Sequence, residues 1–184
     1  MESKKAVPIQ SAHRILNAGS VLLVTSAARG HTNIMTLAWQ TPISAQPRLL
    51  GIAVGNGRFT TELIGESGEF VLNVAGADLL TQVARCGRVS GRDVDKFQDI
   101  ELTAVPSSVV GAPSTEECLA HVECRVVETH VIGDHHLFVG EIVAASARDD
   151  LFVGGHWVED AELLHHLGGN QYYISGRRVT PPES

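Results

Sequence analysis

Residues 121–126 alternate without a break: Val122, Cys124 and Val126 are apolar, and His121, Glu123 and Arg125 between them are polar or charged. A two-residue period puts one set on each face of a strand, so the segment predicts a half-buried β-strand. Gly133-Asp134 then turns the chain, and Leu137 to Ala145 runs back. Together they predict a long antiparallel hairpin. Such a hairpin belongs in a sheet with one face on a core and the other toward solvent.

The other segments fit that frame. Val21 to Ser26 is apolar and β-branched, Arg29-Gly30 reads as a turn, and His31 to Trp39 reads as the returning strand. Pro42 and Pro47 are expected to bracket a loop. Leu49 to Val54 is strand-like and is broken by Gly55-Asn56-Gly57. Thr60 or Thr61 is expected to cap a helix carrying Leu63 and Ile64, closed at Gly65 or Gly68. Glu69 to Val74 is another strand, and Asp78 is expected to cap a helix with Leu79, Leu80 and Val83 on one face. Ser90 to Phe97 reads as a polar loop or short helix, Ile100 to Val105 as a strand, and Pro106 to Thr115 as a loop. A short helix from Ser11 through Ile15-Leu16, ended by Gly19, is expected before the first strand. The C-terminal segment runs through Gly168-Gly169-Asn170-Gln171-Tyr172-Tyr173 and then Pro181-Pro182, ending in what reads as a frayed tail. Strands that follow one another through short turns favour an antiparallel barrel with rim helices over a Rossmann sheet. No Gly-x-Gly-x-x-Gly follows the first strand.

A chain of 184 residues, 43% hydrophobic and 19% charged, suits one folded domain. The expected domain is 1–184, with a core at about 10–175 and a tail at 176–184. A formal net charge of −7 argues against nucleic acid as the main partner. No apolar run approaches the roughly 20 residues that span a bilayer, and Met1-Glu2-Ser3-Lys4-Lys5 leads into no apolar signal core. The expectation is a cytoplasmic protein with no membrane partner. Cys86, Cys118 and Cys124 are odd in number with no Cys-x-x-Cys, so they are expected as reduced thiols, mostly buried. His135-His136 and His165-His166 are adjacent pairs. Neighbours on a strand point to opposite faces, and no metal site is expected. No Gly-x-Ser-x-Gly is present.

Three segments could together wall a flavin nucleotide. A strand offers peptide groups at regular spacing to the polar edge of a flat ring. Asn33, Thr36 and Ala38 would let that ring approach, with Met35 and Trp39 as soft or flat packing. The same run also reads as an ordinary amphipathic strand with Met35 and Trp39 in the core. Arg58 offers a planar fork, and Thr60 and Thr61 add hydroxyls at a helix start, a combination suited to a phosphate. It equally describes a capped surface helix. Lys96 reads either as a further cation or as a surface partner of Asp93 and Asp95. His135, just after the hairpin turn, is placed to touch a ligand.

In this order the segments resemble the flavin reductase-like, FMN-binding split-barrel proteins, in particular the flavoredoxin-type branch. The resemblance rests on Asn33 to Trp39, Arg58-Phe59-Thr60-Thr61-Glu62-Leu63-Ile64, Gly68 to Asn73, Gly91 to Phe97, Gly133 to Glu141 and Leu167 to Tyr173. It covers roughly residues 10–175. It implies a mainly β fold, a six-stranded antiparallel Greek-key split barrel, assembled as a homodimer with FMN near the interface. It implies that Asn33, Met35, Thr36, Ala38 and Trp39 line the flavin and its ribityl chain, and that Arg58, Thr60 and Thr61 hold the phosphate. Ser90 and Lys96 would also reach the cofactor. His135 would stand by the flavin face as the catalytic residue that positions an electron donor, NADH or NADPH. The expected function is an NAD(P)H-dependent flavin reductase or flavin-mediated reductase, with hydride passing to flavin N5. The rival expectations are an FMN electron carrier reduced by a protein partner and a non-enzymatic ligand-binding barrel.

Overall fold

Arg29 and Gly30 both take positive φ, 51° and 75°, the geometry of a tight hairpin turn. They join β1 (Leu22–Ala28) to β2 (His31–Leu37), which pair from Ala28↔His31 to Leu22↔Leu37. The structure is a computed structural model that describes Pro8, Ile15, residues 19–177 and Val179. The helix expected after Ser11, apart from Ile15, and the Pro181-Pro182 end of the tail lie outside the described residues.

The chain continues through β3 (Gln40–Ala45), β4 (Arg48–Gly55), α1 (Phe59–Ser67), β5 (Glu69–Val74), a 3₁₀ turn (Ala77–Leu79), α2 (Leu80–Cys86) and α3 (Lys96–Asp99). Then follow β6 (Ala104–Val105), β7 (Ser114–Thr115), β8 (Ala120–Ile132), β9 (His135–Ala147), β10 (Phe152–Val153), β11 (His156–Trp157), β12 (Leu164–Gly168) and β13 (Gln171–Ile174). Seven strands form one antiparallel sheet in the order β2-β1-β5-β8-β9-β4-β3. Its edge strands, β2 and β3, are consecutive in sequence and joined only by Ala38-Trp39. Three Cα steps span at most about 11 Å, whereas six interstrand spacings in a flat sheet would separate the edges by about 29 Å. The sheet must therefore curl until its edges meet. It is a split barrel, with seven strands in place of the expected six.

Both faces of β1 are covered, which explains its unbroken apolar run. Leu22 and Val24 point into the barrel with Met35, Ile52, Phe70 and Phe138. Val21 and Leu23 point outward into a second core with Leu79, Val83, Phe97 and Leu164. At Gly140 an added Cβ would sit 2.7 Å from the Phe70 ring, so the absence of a side chain there lets the fully buried Phe70 fill the barrel. The three cysteines are free and buried, as expected. Among the described residues no helix is long and apolar enough to cross a membrane.

Several expected boundaries move for physical reasons. The strand read as His31 to Trp39 stops at Leu37, because Ala38 and Trp39 make the corner between the two edges. The loop expected between Pro42 and Pro47 contains β3. Pro42 is tolerated because this strand is at an edge, and the register shifts beside it. The cap of α1 is Arg58 rather than a threonine, and Thr60 and Thr61 fall in the first turn; Gly68 closes the helix at φ 68°. The helix read from Asp78 starts as a 3₁₀ turn capped by Gly76. That tighter winding shifts the phase, and Leu80 is exposed while Leu79 and Val83 are buried. Glu101 at φ 56° breaks the strand expected over Ile100 to Val105, leaving only β6. Just before the expected tail the chain forms the β12–β13 hairpin, bridged to the body at Ser20↔His165.

Candidate functional site

The corner between the sheet edges borders a cavity of about 370 Å³, within the range of small-molecule sites, roughly 300–1,000 Å³. Its walls come from β2 and the corner, the end of β4, the start of α1, the segment after α2, and His135 at the start of β9. Of the residues expected from sequence, Asn33, Met35, Thr36, Ala38, Trp39, Arg58, Thr60, Ser90, Lys96 and His135 all line it. Thr61 does not. Its hydroxyl donates to the Gly55 carbonyl at 2.9 Å, which fixes the end of β4 against α1.

The charge of this cavity is opposite to that of the chain. Arg58, Arg88, Arg92 and Lys96 line it, and among the described residues no aspartate or glutamate does. Arg92 is committed locally: it donates to the Gly57 carbonyl at 2.9 Å, pairs with Glu62 and lies 5.4 Å from the Phe59 ring centroid. The Arg58 guanidinium makes no hydrogen bond or ion pair among the described residues. Lys96 is not the surface partner of Asp93 and Asp95 that its sequence context allowed. It is only 5% exposed, and its ammonium donates to the Cys86 carbonyl at 2.9 Å. Burial lowers its pKa, the Cys86 thiol opposes that shift, and the positive charge of Arg58 adds to it. Arg58 and Lys96 thus repel each other in a cavity without a carboxylate. An entering anion would relieve both the repulsion and the desolvation. Burial likewise raises the pKa of Cys86, partly offset by Lys96 and Thr36.

Asn33 links β2 to the helix start. Its side-chain amide donates to the Thr60 hydroxyl oxygen at 2.8 Å, leaving the Thr60 O–H to donate elsewhere. Its buried Oδ1 has no partner among the described residues. A lone buried acceptor costs roughly 1–3 kcal/mol unless something donates to it. Gly91 crosses so close that a Cβ there would lie 2.1 Å from this Oδ1. Ser90 shapes the same loop by accepting from the Arg92 amide at 3.2 Å. Thr36 donates its hydroxyl to the Val83 carbonyl at 2.6 Å and so pins α2 to β2. Met35 belongs to the barrel core beneath the cavity.

At the rim, Trp39 is 42% exposed and stacks on His135, with ring centroids 4.8 Å apart and planes at 27°. His135 Nδ1 lies 2.7 Å from the Asp134 carboxylate, which can only accept, so Nδ1 carries the proton. The hydrogen bond and charge of His135 hold the Asp134 carboxyl below its ordinary pKa. A flat aromatic surface and an oriented imidazole thus flank a cationic cavity.

A family model described as flavin reductase like domain matches residues 14–171. The chain belongs to the flavin reductase-like family. It is 46% identical over 150 residues to an uncharacterized protein of Archaeoglobus fulgidus, covering 81% of this chain and 85% of that one. Among solved structures it is similar to an FMN-binding protein from Thermus thermophilus with bound 1-cyclohex-2-enone, with a TM-score of 0.86 and 27% identity, covering 99% of this chain and 100% of that one. It is also similar to flavoredoxin from Methanosarcina acetivorans, with a TM-score of 0.83 and 28% identity over 99% of this chain and 94% of that one. These matches agree with the family and the fold read from the sequence.

Sequence reasoning missed several lining residues of this flavin reductase-like chain. Arg88 and Arg92 stand in the run Gly87-Arg88-Val89-Ser90-Gly91-Arg92 after α2. Its glycines and arginines together could have marked it as an anion loop. Phe59 and Cys86 carried no such mark, since an aromatic or a thiol at a helix end reads as core.

Proposed function

We propose that the protein is a single-domain FMN-dependent oxidoreductase that takes hydride from NADH or NADPH and passes electrons to a flavin or another small acceptor. One observation carries this reading: a carboxylate-free cavity with four cationic side chains, flanked by the stacked Trp39–His135 pair, in an acidic flavin reductase-like chain.

The residues present fit FMN. Arg58, Lys96 and the Thr60 hydroxyl, at the start of a nine-residue helix, would hold the phosphate dianion. The unpartnered Oδ1 of Asn33 would accept from a ribityl hydroxyl. Met35, Thr36 and Ala38 would form the wall along the ring, with Ser90 in the loop beside it. When bound, the flavin supplies the hydride-accepting centre. Trp39 and His135 offer a nicotinamide a flat, ordered surface, and the reaction gains chiefly from holding two rings in contact. No side chain has to move a proton for that transfer. After incubation with FMN and removal of unbound flavin, the purified protein is expected to keep flavin absorbance bands, and with FMN present to oxidise NADH or NADPH. Absence of bands would remove the cofactor assignment, and bands without oxidation of either nucleotide would remove the donor assignment.

A second reading has its own support. The similarity to a flavoredoxin and the exposed Trp39 rim suit a carrier reduced by a protein partner. That protein would keep FMN through purification and leave NAD(P)H untouched.

We also propose a homodimer. Beyond Val126, among the described residues, β8 pairs with β9 alone, and this stretch exposes Val127, Val131 and Ile132. An apolar strand edge of this kind suits a second copy. Sedimentation at micromolar concentration is expected to give twice the 19.7 kDa chain mass. Three free, buried thiols agree with the cytoplasmic setting we propose.

A further inference from the structure

A second cavity, of about 240 Å³, adjoins the first. The two share Thr36, Ala38, Gly87 and Arg88, and the second adds Ala84, His166, Asn170 and Tyr172 among its walls. The β12–β13 hairpin therefore builds one side of it. Arg88 is held at the junction: its guanidinium donates to the Asn170 side-chain oxygen at 2.5 Å. His166 Nε2 lies 3.2 Å from the Gly169 carbonyl, which can only accept, so Nε2 donates. The His166 and Tyr172 rings stand 5.3 Å apart. Burial raises the Tyr172 pKa, and the charge of Arg88 acts against that shift.

The other cavities sharing a wall with the first differ in charge. The one behind Trp39, lined by Gln40, Gly51 and Leu137 among others, has no charged lining residue. The one beside Phe59 has Glu62 and Glu66 with Arg29. The one beyond Gly91 has Asp93 and Asp95 with Arg92. Of these four neighbouring cavities, the one at Arg88 combines a cation with no carboxylate among the described residues. If the first cavity holds FMN, a nicotinamide at the Ala38–Trp39 corner still carries phosphates that need a place. Ala38 borders both cavities.

We propose that the Arg88 cavity is the binding site for the phosphate-bearing arm of the electron-donor nucleotide. Arg88 is its charge contact, Asn170 positions Arg88, and Tyr172 and His166 are its walls. This rests on the reading of the first cavity as a flavin site with a nicotinamide donor.

The test uses full-length protein loaded with FMN. ADP, which carries the phosphates without the nicotinamide, is titrated calorimetrically. It is expected to bind without releasing FMN, and Arg88→Ala is expected to weaken it at least tenfold. In steady state, Asn170→Ala and the cavity-filling Ala84→Phe are expected to raise KM for NADH or NADPH severalfold with kcat nearly unchanged. Both are expected to match the parent on 1-benzyl-1,4-dihydronicotinamide, a donor with no phosphate. Equal losses on both donors, or ADP binding indifferent to Arg88, would overturn the proposal. Asn170→Ala leaves the packing of α2 untouched and so covers the case in which Ala84→Phe fails to fold. If NAD(P)H is oxidised but these variants leave its KM unchanged, the cavity assignment falls and the proposed function stands. If ADP binds through Arg88 but neither nucleotide is oxidised, the donor reading falls and the assignment of this cavity to a donor's phosphate arm falls with it.

Discussion

Arg58 is the side chain whose position most directly connects residue chemistry to ligand. It caps α1 with its backbone, leaves its guanidinium without a partner among the described residues, and raises the electrostatic cost of the buried Lys96 beside it. A group so placed contributes little to the empty fold and much to a bound phosphate. Charge-assisted hydrogen bonds are worth about 1.5–3 kcal/mol. Arg58→Ala is therefore expected to weaken FMN binding about ten- to a hundredfold, measured by quenching of flavin fluorescence, and to leave the melting temperature of the FMN-free protein nearly unchanged. An unaltered FMN affinity would move the phosphate to another part of the cavity. The sequence already offered Arg58 as a phosphate ligand, because a fork-shaped cation before two threonines is a local pattern. It did not separate Thr60 from Thr61. Adjacent helical residues point about 100° apart, and only the docking of α1 against β2 and β4 decides which hydroxyl meets Asn33 and which meets Gly55.

At the scale of elements, the strongest sequence pattern concealed a tertiary contact. The alternation along β8 puts Glu123 on its polar face, yet Glu123 is only 5% exposed. The loop 106–113 folds over that face, and the carboxylate accepts from the Ser108 amide and hydroxyl at 2.8 and 2.6 Å and from the Val109 and Val110 amides at 2.7 and 3.1 Å. Burial alone would raise the pKa of Glu123, but these donors outweigh it and hold it below the ordinary value. A folded pKa below the unfolded one adds stability that is present above the unfolded pKa and lost as pH falls through the folded one. Glu123→Gln turns an amide N–H₂ toward two of the donors and is expected to cost about 3 kcal/mol, read by urea unfolding at neutral pH. The difference from the parent is expected to shrink in acid, below the usual glutamate range. A neutral substitution would mean that the loop is held by Glu69 and Asn73, which accept from the Gly111 and Thr115 amides. Periodicity identified the strand because pairing follows the local pattern. It could not identify the loop above it, whose residues are recruited from ten or more positions away.

For the whole molecule, strand neighbours and family were legible, since hairpins and short turns are written in contiguous residues. The cavity was only partly legible. Its charge comes from Arg58, the 87–92 segment and Lys96, joined by packing of α1, α2 and α3 against one sheet edge, and Lys96 in isolation looked like a surface residue. That burial couples the site to folding. In the FMN-free protein Lys96 has a lower pKa than in the unfolded chain, so between those two values the unfolded state binds more protons. Stability must then rise with pH across that window, and fall as pH drops through the folded value. A phosphate beside Lys96 acts in the opposite sense: it favours the ammonium, so FMN affinity must fall as Lys96 loses its proton. Ligand stabilisation follows RT ln(1 + [L]/Kd), and the two trends oppose each other. Melts from neutral to alkaline pH are expected to show the FMN-free protein gaining in this component while the FMN-induced increment shrinks. Lys96→Met removes the titrating group but keeps an unbranched buried chain, and is expected to flatten both differences. If the FMN increment keeps its pH slope in Lys96→Met, the cation that senses the phosphate is not Lys96, and the burial of its ammonium serves the packing of α3 alone.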